Sequence, residues 1–257
     1  MPKFIPITKT DFDDKHWQRV PDYAHATKDA ICPLVVQEMT KAVLSLPIAF
    51  AYINDQPVPV AVQGIKPNSN LLVDKNGKWI GKYIPAVYRG YPFMLANTEE
   101  DDKQVLCFDE ESGLMVEDGE AFFDDNGEPA EAVKGILNLL TQVHNNRAVT
   151  QRICTVLHGK KLIQPWAIKL KTADGDVSVE GLHRIDEAAL NALDKDDFEE
   201  IRQAGALPLI YCQLLSMQHL QSLANLAVQV EQQKPVNKVP DIDSIFGEGS
   251  GDQLFKF

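Results

Sequence analysis

The first half of the chain places short apolar runs between turn residues, a pattern typical of β-strands joined by tight turns. Asn-Asp-Gln-Pro at residues 54–57 and Asp-Lys-Asn-Gly at residues 74–77 are two such turns, and both favour hairpins. One short helix is predicted over residues 33–46, ended by Pro47. The predicted strands are residues 48–53, 58–65, 71–73, 78–80, 106–108 and the Phe122-Phe123 pair.

The second half has the apolar spacing of helices. Asn145 and Asn146 are expected to interrupt the longest one, Asp174-Gly175 predicts a second hairpin, and Asp186 and Asp194 predict helix N-caps. The predicted helices are residues 130–157, 187–193, 195–203 and 208–230, and the strands of the second hairpin are residues 163–170 and 177–182. The pattern therefore predicts an α+β fold. An antiparallel or mixed sheet with hairpins fills the N-terminal half, and helices fill most of the C-terminal half, in one domain over residues 1–230.

The last predicted helix is unusual because no Asp, Glu, Lys or Arg occurs from Gln203 to Val230. A helix on a protein surface normally carries charge on its solvated face. Two interpretations stay open: the helix is covered by its own fold, or it forms an interface, since interface cores are also depleted of charge. We expect a homodimer through the stretch from Leu209 to Val230.

Residues 231–257 have no periodicity and are rich in Pro, Gly and acids, which is the composition of a disordered tail. Within it, residues 241–246 and 254–257 mix charged and large apolar side chains. This tail could therefore dock on a partner.

The net charge of −12 is concentrated in one segment. Residues 97–131 hold fourteen acids against Lys103 alone, and we interpret this acidic segment as a solvated, mobile connection. It argues against a nucleic-acid partner, because phosphates are neutralised by Lys and Arg. The turns at residues 74–77 and 124–127 lack the carboxylates that an EF-hand needs before and after its glycine. We therefore predict no metal site.

Other chemistry-bearing residues are scattered. The four cysteines have no Cys-x-x-Cys spacing, the six histidines do not cluster, and no Gly-rich nucleotide loop or Gly-x-Ser-x-Gly elbow occurs. The N-terminus lacks the basic start and apolar run of a signal peptide, and no apolar run is long enough to span a membrane. These features lead us to expect a reduced, cytoplasmic protein without a cofactor.

Residues 70–95, NLLVDKNGKWIGKYIPAVYRGYPFML, are the densest aromatic stretch. Its aromatic side chains could pack in the core or at a sheet edge. They could also form a recognition surface in which Arg89 pairs with a carboxylate or phosphate. The candidate binding residues are Trp79, Tyr83, Tyr88, Arg89, Tyr91 and Phe93.

The same stretch resembles the SapC family in its Asn-Leu-aliphatic block, its Asp-x-x-Gly-x-Trp turn, and its Tyr-Ile-Pro and Arg-x-Tyr-Pro-Phe motifs. Further matching pieces are Gly-Leu-His-Arg-Ile-Asp at residues 181–186 and the run at residues 204–211. The resemblance extends over nearly the whole chain, to about residue 228.

The family takes its name from a bacterial surface-layer gene cluster. Its members look like companions of outer-membrane uptake receptors and of tryptophan-halogenase-like flavoenzymes. The resemblance therefore implies an accessory protein that binds a peptide, protein or small molecule, and it supplies no catalytic residues. Two alternatives remain: a histidine-poor enzyme, or enzyme partner, acting on amino-acid or peptide substrates, and a structural interaction subunit.

Overall fold

A computed structural model describes residues 2–97, 104–172 and 175–232, without the side chain of Thr172. The predicted tail from residue 233 onward, part of the acidic segment and Asp174 of the second predicted hairpin turn lie outside the described residues. The fold is α+β, with most strands in the N-terminal half and most helical residues in the C-terminal half. This confirms the predicted fold class.

All named strand pairs of the described residues are antiparallel. The strands are β1 (Phe4–Pro6), β2 (His16–Trp17), β3 (Ile31–Pro33), β4 (Ile48–Ile53), β5 (Gln56–Val62), β6 (Phe93–Asn97), β7 (Gln104–Asp109), β8 (Met115–Val116), β9 (Glu120–Ala121), β10 (Ile163–Pro165), β11 (Ile168–Thr172), β12 (Gly175–Val179) and β13 (His183–Ile185). They form a five-stranded sheet in the order β10-β13-β4-β5-β3, two three-stranded sheets in the orders β1-β7-β6 and β8-β2-β9, and the β11-β12 hairpin.

Eight α-helices occur in the described residues. They are α1 (Lys9–Phe12), α2 (Met39–Ala42), α3 (Ala86–Gly90), α4 (Glu131–Gly159), α5 (Glu187–Asn191), α6 (Lys195–Gln203), α7 (Leu207–Ser216) and α8 (His219–Gln232). Asp186 and Asp194 cap α5 and α6 by accepting the backbone N–H groups of Ala189 and Asp197, which confirms both predicted N-caps. No helix in the part of the chain described has both the length and the apolar character of a membrane span.

The helix predicted over residues 33–46 is wrong at its start. Cys32 and Pro33 extend the five-stranded sheet opposite Ala61 and Val60, and only α2, after one 3₁₀ turn, is helical. The apolar residues that suggested a helix, such as Leu34 and Met39, are nevertheless buried. Strand pairing therefore overrode the helical spacing in this segment.

Several other predicted boundaries also change, whereas β4 and α6 have the predicted bounds. The strand predicted over residues 58–65 is β5, which begins and ends earlier, and residues 163–165 pair with β13 rather than joining the β11-β12 hairpin. Helix α4 continues through Asn146, whose side-chain amide donates to the carbonyl of Gln142 one turn earlier. The last predicted helix is divided at residues 217–218 into α7 and α8.

The uncharged helix α7 uses the side chains of Gln213 and Ser216 to satisfy backbone groups at the ends of β4 and β13, two adjacent inner strands of the five-stranded sheet. Gln213 is fully buried, donates to the carbonyl of Ile48 at 3.1 Å and accepts the N–H of Ile185 at 2.9 Å. Ser216 accepts the N–H of Ile48. The fold therefore covers one face of α7, whereas Tyr211 and Leu215 are 51% and 62% exposed.

Two hydrophobic cores lie along α4. The first core, around the five-stranded sheet, takes Ile153, Cys154 and Leu157 from the C-terminal half of α4. The second core, around the two three-stranded sheets, takes Val133 from its first turn.

The acidic segment supplies a large part of the second core, so its described parts are not a solvated connection. Strand β7 is the middle strand of its sheet, and Phe108 and Phe122 are fully buried and meet edge to face at 5.3 Å. The acids alternate with these buried residues, which a count of charges does not reveal.

Candidate functional site

Helix α3 is the centre of the candidate site. It begins after Pro85 and is followed by Tyr91, so it falls within the aromatic stretch. Residues 87–91 border four cavities of about 620, 170, 210 and 450 Å³. Val87 lines the three smaller cavities, and Tyr91 lines three of the four. The stretch selected from the sequence therefore lies where four cavities meet the described surface.

Small residues bring α3 close to the long helix. Ala86 is buried in a cluster with Val35 and Val143, and a Cβ atom added to Gly90 would lie 2.6 Å from Cδ2 of Leu140. This close approach leaves Arg89 exposed.

A buried carboxylate fixes the start of α3. Glu38 is 5% exposed, and its Oε1 accepts the hydroxyl of Tyr83 and the N–H of Ala86, both at 2.7 Å. Its Oε2 accepts the N–H of Val35 at 3.2 Å. Burial, together with the Glu38 carboxylate, raises the pKa of Tyr83, which therefore stays protonated as the donor. Glu38 thus positions α3 without any cation beside it in the described residues.

Tyr88 is fixed by a second polar network. Its hydroxyl lies 3.0 Å from Oδ2 of Asp29 and 2.9 Å from Oε1 of Gln63. Gln63 in turn accepts from the amide of Asn70 at 3.1 Å. Burial raises the pKa of Tyr88, so the ring presents a neutral hydroxyl.

The largest cavity, which we name the main groove, lies between α3, the first turns of α4 and the second core. Arg89 extends over the ring of Tyr83, with 5.9 Å from Cζ to the ring centre, and no carboxylate pairs with it among the described residues. Arg19, in contrast, pairs with Glu120 at 2.6 Å. The groove is lined by Trp17, Arg19, Val20, Tyr23, Tyr88, Arg89, Tyr91, Glu120, Glu131, Ala132, Gly135, Ile136 and Leu139.

Several groove residues were not selected from the sequence. Trp17, Glu131 and Gly135 line the groove, although none of them is among the candidate binding residues predicted from the sequence. They meet the aromatic stretch only through the fold. The glycine within an otherwise apolar helical pattern was the one available signal.

The 450 Å³ cavity lies on the other side of Tyr88 and Tyr91 and is acidic. His25 stacks on Tyr91, with ring centres 4.1 Å apart and planes 15° apart, beside Asp29 and Asp109. Burial lowers the pKa of His25, although Asp29 and Asp22 partly oppose this effect. The site is therefore polarised, with Arg89 on one side and carboxylates on the other.

The structure brings together only some of the predicted binding residues. Tyr88, Arg89 and Tyr91 line the main groove, and Tyr83 lies beneath Arg89. Trp79 packs in the first core, 5.7 Å from the ring of Tyr88, and Phe93 packs in the second core. Trp79 and Phe93 do not line the main groove and act as packing for its walls.

All four cysteines are buried, and burial raises the pKa of each thiol. The pKa of Cys32 and that of Cys154 reach about 12. A protonated thiol is a poor nucleophile. Within the described ranges, no three His, Cys, Asp or Glu side chains are grouped so that they could hold a metal ion.

A model of the SapC family matches residues 7–223. The match includes α3, all residues of the main groove and most residues of both cores. The chain therefore belongs to the SapC family. No curated protein matches the chain, and no solved structure matches it.

Proposed function

We propose that this SapC-family chain is a cytoplasmic accessory protein that binds a polypeptide at the main groove and serves surface-layer or outer-membrane uptake systems. The observation that carries the proposal is the position of α3, which borders four cavities and presents Arg89. A concave site with a few convergent polar groups is the usual form of a binding site.

The side chains that form the walls of the main groove are preorganised for binding. Tyr88 and Tyr91 are held by hydrogen bonds to Asp29 and Asp109, so little side-chain entropy is lost when a ligand contacts them. Tyrosine and arginine are enriched among residues that dominate binding energy. A rigid aromatic surface with one unpaired arginine suits recognition.

The alternative is an enzyme that acts on an amino-acid or peptide substrate. One observation favours it: His25, whose lowered pKa keeps the imidazole neutral, lies in a cavity with Asp29 and the hydroxyl of Tyr88. A neutral imidazole can act as a general base. Binding is preferred because the ring is stacked on Tyr91 and all four thiols are protonated.

Self-association is a second part of the proposal. Tyr211 and Leu215 are one helical turn apart on the exposed face of α7, and Leu44, which follows α2, is 72% exposed. Helix α2 contacts α7. We propose that this exposed apolar surface joins two copies of the chain; Tyr211 and Leu215 lie in the stretch that the sequence selected, and Leu44 lies outside it.

The binding proposal is tested with a displayed library of random dodecapeptides. We expect the wild-type chain to enrich a consensus whose affinity falls by about 1.5–3 kcal/mol in Arg89→Ala, because a charged hydrogen bond contributes that much. Arg152→Ala, an exposed arginine of α4 outside the groove, is the matched control.

Thermal unfolding of both variants accompanies the binding measurement. Arg89→Ala should unfold within a few degrees of the wild-type chain. A large loss of stability with unchanged peptide affinity would show that Arg89 is structural and would contradict the proposal.

A further inference from the structure

We infer that the main groove binds an acidic, apolar segment of another polypeptide. A carboxylate of the segment is held between Arg89 and the N-terminus of α4, and a large apolar side chain fills the space over Gly135. This inference rests on the proposed function and names the chemistry of its ligand.

Arg89 is the cation available to a ligand in the groove. The other cation, Arg19, is neutralised by Glu120 through contacts at 2.6 and 3.4 Å. Arg89 has no carboxylate partner in the part of the chain described, although the protein carries a net charge of −12. A single carboxylate matches a single unpaired guanidinium, which can donate two parallel hydrogen bonds to the carboxylate oxygens.

The start of α4 adds a second attraction for a carboxylate. Helix α4 has 29 residues, and its N-cap residue, Ala130, has no side chain that could accept the N–H groups of the first turn. Ala132 of that turn lines the groove, and so does the carboxylate of Glu131, which partly offsets the attraction. The N-terminus of a helix stabilises anions because it presents free N–H donors and the positive end of the helix dipole.

Trp17 makes the groove wall a reporter of binding. It lines the groove and is 2% exposed, and its buried indole N–H has no hydrogen-bond partner in the described structure. Buried N–H groups are rarely left without an acceptor, so this N–H should respond to a change in the groove wall.

Gly135 opens the apolar part of the groove. No atom lies within 4 Å of a Cβ atom built at this position, although glycine is unfavourable inside a helix. Ala132, Ile136 and Leu139 surround this opening on α4. The empty space beside apolar neighbours fits a large apolar side chain of the ligand.

The carboxylates in the groove exclude a polyanion. Glu120 and Glu131 would repel consecutive phosphates, and phosphate binding requires clustered Lys and Arg. A peptide carries an isolated carboxylate together with backbone N–H groups, for which the Glu131 carboxylate is an acceptor. The groove therefore matches a polypeptide that is acidic at one position.

The test follows indole N–H signals of the ¹⁵N-labelled full chain by NMR. The chain has three tryptophans, Trp17, Trp79 and Trp166, and Trp17→Phe assigns the groove signal. The probe is the peptide acetyl-Ser-Asp-Ile-Phe-Ser-amide. We expect it to shift the Trp17 signal in a saturable way and to leave the Trp166 signal, from a residue packed on the first core, in place.

Two altered peptides and two groove variants test the chemistry. Replacing the peptide's Asp by Asn, or its Phe by Ala, should each weaken binding at least tenfold. Arg89→Ala should weaken the Asp peptide at least tenfold and remove its advantage over the Asn peptide. Gly135→Phe should abolish binding, whereas Gly159→Phe, at the other end of α4 and also facing open space, should not change it.

Three results would overturn the inference: equal affinity for the Asp and Asn peptides, unchanged binding to Gly135→Phe, and no shift of the Trp17 indole signal.

A further measurement concerns the source of the ligand. If Asp241→Asn, Asp243→Asn and Phe246→Ala together tighten binding of the probe more than tenfold, the chain's own C-terminal segment competes for the groove. A library consensus without an acid that still depends on Arg89 would contradict this inference and leave the proposed function standing.

Discussion

Glu38 accepts three hydrogen bonds through a single buried carboxylate, from the hydroxyl of Tyr83 and the N–H groups of Val35 and Ala86, so its charge and shape are both needed. In Glu38→Gln, an amide N–H₂ group replaces one of two acceptor oxygens and faces a donor. We predict a loss of about 1–3 kcal/mol in the free energy of unfolding, the usual cost of an unsatisfied buried group. Urea unfolding measures the loss.

The control is Glu180→Gln, which removes an exposed carboxylate and should change stability by less than about 0.5 kcal/mol. Equal stability of the two variants would show that Glu38 can be replaced by a neutral acceptor. Because Glu38 binds the N–H of Ala86, Glu38→Gln should also weaken peptide binding at the main groove.

His25 should make stability depend on pH. Its pKa in the folded protein is lowered by burial from about 6.5, so the unfolded chain binds more protons at acidic pH. The favourable contribution is therefore complete above about pH 6.5 and is lost as the pH falls toward the folded pKa. We predict that the wild-type chain loses more stability from about pH 8 to about pH 5 than His25→Gln does.

Unfolding free energies at several pH values measure this difference, and His144→Gln controls for the removal of any one imidazole. Parallel pH profiles for the wild-type chain and His25→Gln would contradict the prediction. Since His25 stacks on Tyr91, its protonation should also disturb the wall between the two largest cavities.

At the residue scale, the sequence identified the site only where its residues are neighbours in the chain. Tyr88, Arg89 and Tyr91 were selected because they are crowded together, and the structure places all three at the main groove. Trp17 and Gly135 reach the groove from distant segments, and no local pattern links them to Arg89. Trp79 and Phe93 belong to the same aromatic stretch but pack inward. The sequence did not distinguish them, because core and surface aromatic residues look alike in a sequence.

At the element scale, two glycines separate the effects of space and backbone conformation. Gly135 in α4 and Gly113 in a turn both have open space where a Cβ atom would lie, but Gly113 has φ of +70°. We predict that Gly135→Ala stabilises the protein by about 0.5–1 kcal/mol through helix propensity. Gly113→Ala should destabilise it, because L residues rarely adopt a left-handed backbone.

Thermal or urea unfolding of the two variants shows directly whether each substitution raises or lowers the free energy of unfolding. A destabilised Gly135→Ala would mean that the groove wall needs glycine for its own packing and not for an occupant. If Gly135→Ala is stabilising, glycine at this position lowers the stability of the fold. The space that it leaves in the main groove is then the physical explanation for a glycine there.

Turns and helix starts that depend on local chemistry were predicted well, whereas the strands predicted at residues 71–73 and 78–80 are reduced to one isolated bridge between Val73 and Trp79. Asp74 and Asp124 each accept two backbone N–H groups within their Asp-x-Asn-Gly turns, as the turn chemistry requires. Helix α6 has the predicted bounds because its N-cap, Asp194, is adjacent in sequence. The predicted helix over residues 33–46 was wrong because β3 depends on β5, which lies far along the chain.

At the scale of the whole molecule, α4 connects the two cores. Its first turn packs in the second core, its C-terminal half packs in the first, and α3 crosses it between them. The main groove lies at this junction. No sequence pattern predicted that one helix would serve both cores, because the partners of each half come from separate segments of the chain.

The last prediction concerns the exposed face of α7. Gln213 and Ser216 explain why the buried face carries no charge, but Tyr211 and Leu215 remain exposed. Exposed apolar patches mark interaction sites, so we predict a homodimer with twice the chain mass of 28.6 kDa. Light scattering should show that Leu44→Glu and Leu215→Glu each produce monomers, because a buried unpaired charge opposes association.

Ile80→Glu is the control, since Ile80 is 45% exposed and lies in a different part of the chain; this variant should remain dimeric. A wild-type chain that is monomeric at all concentrations would mean that residues 203–230 lack charge only because the fold covers the inner faces of their helices. A dimer that resists both substitutions would place the interface elsewhere. Peptide binding measured on the Leu215→Glu monomer then decides whether the main groove is complete within one chain, as the proposed function requires.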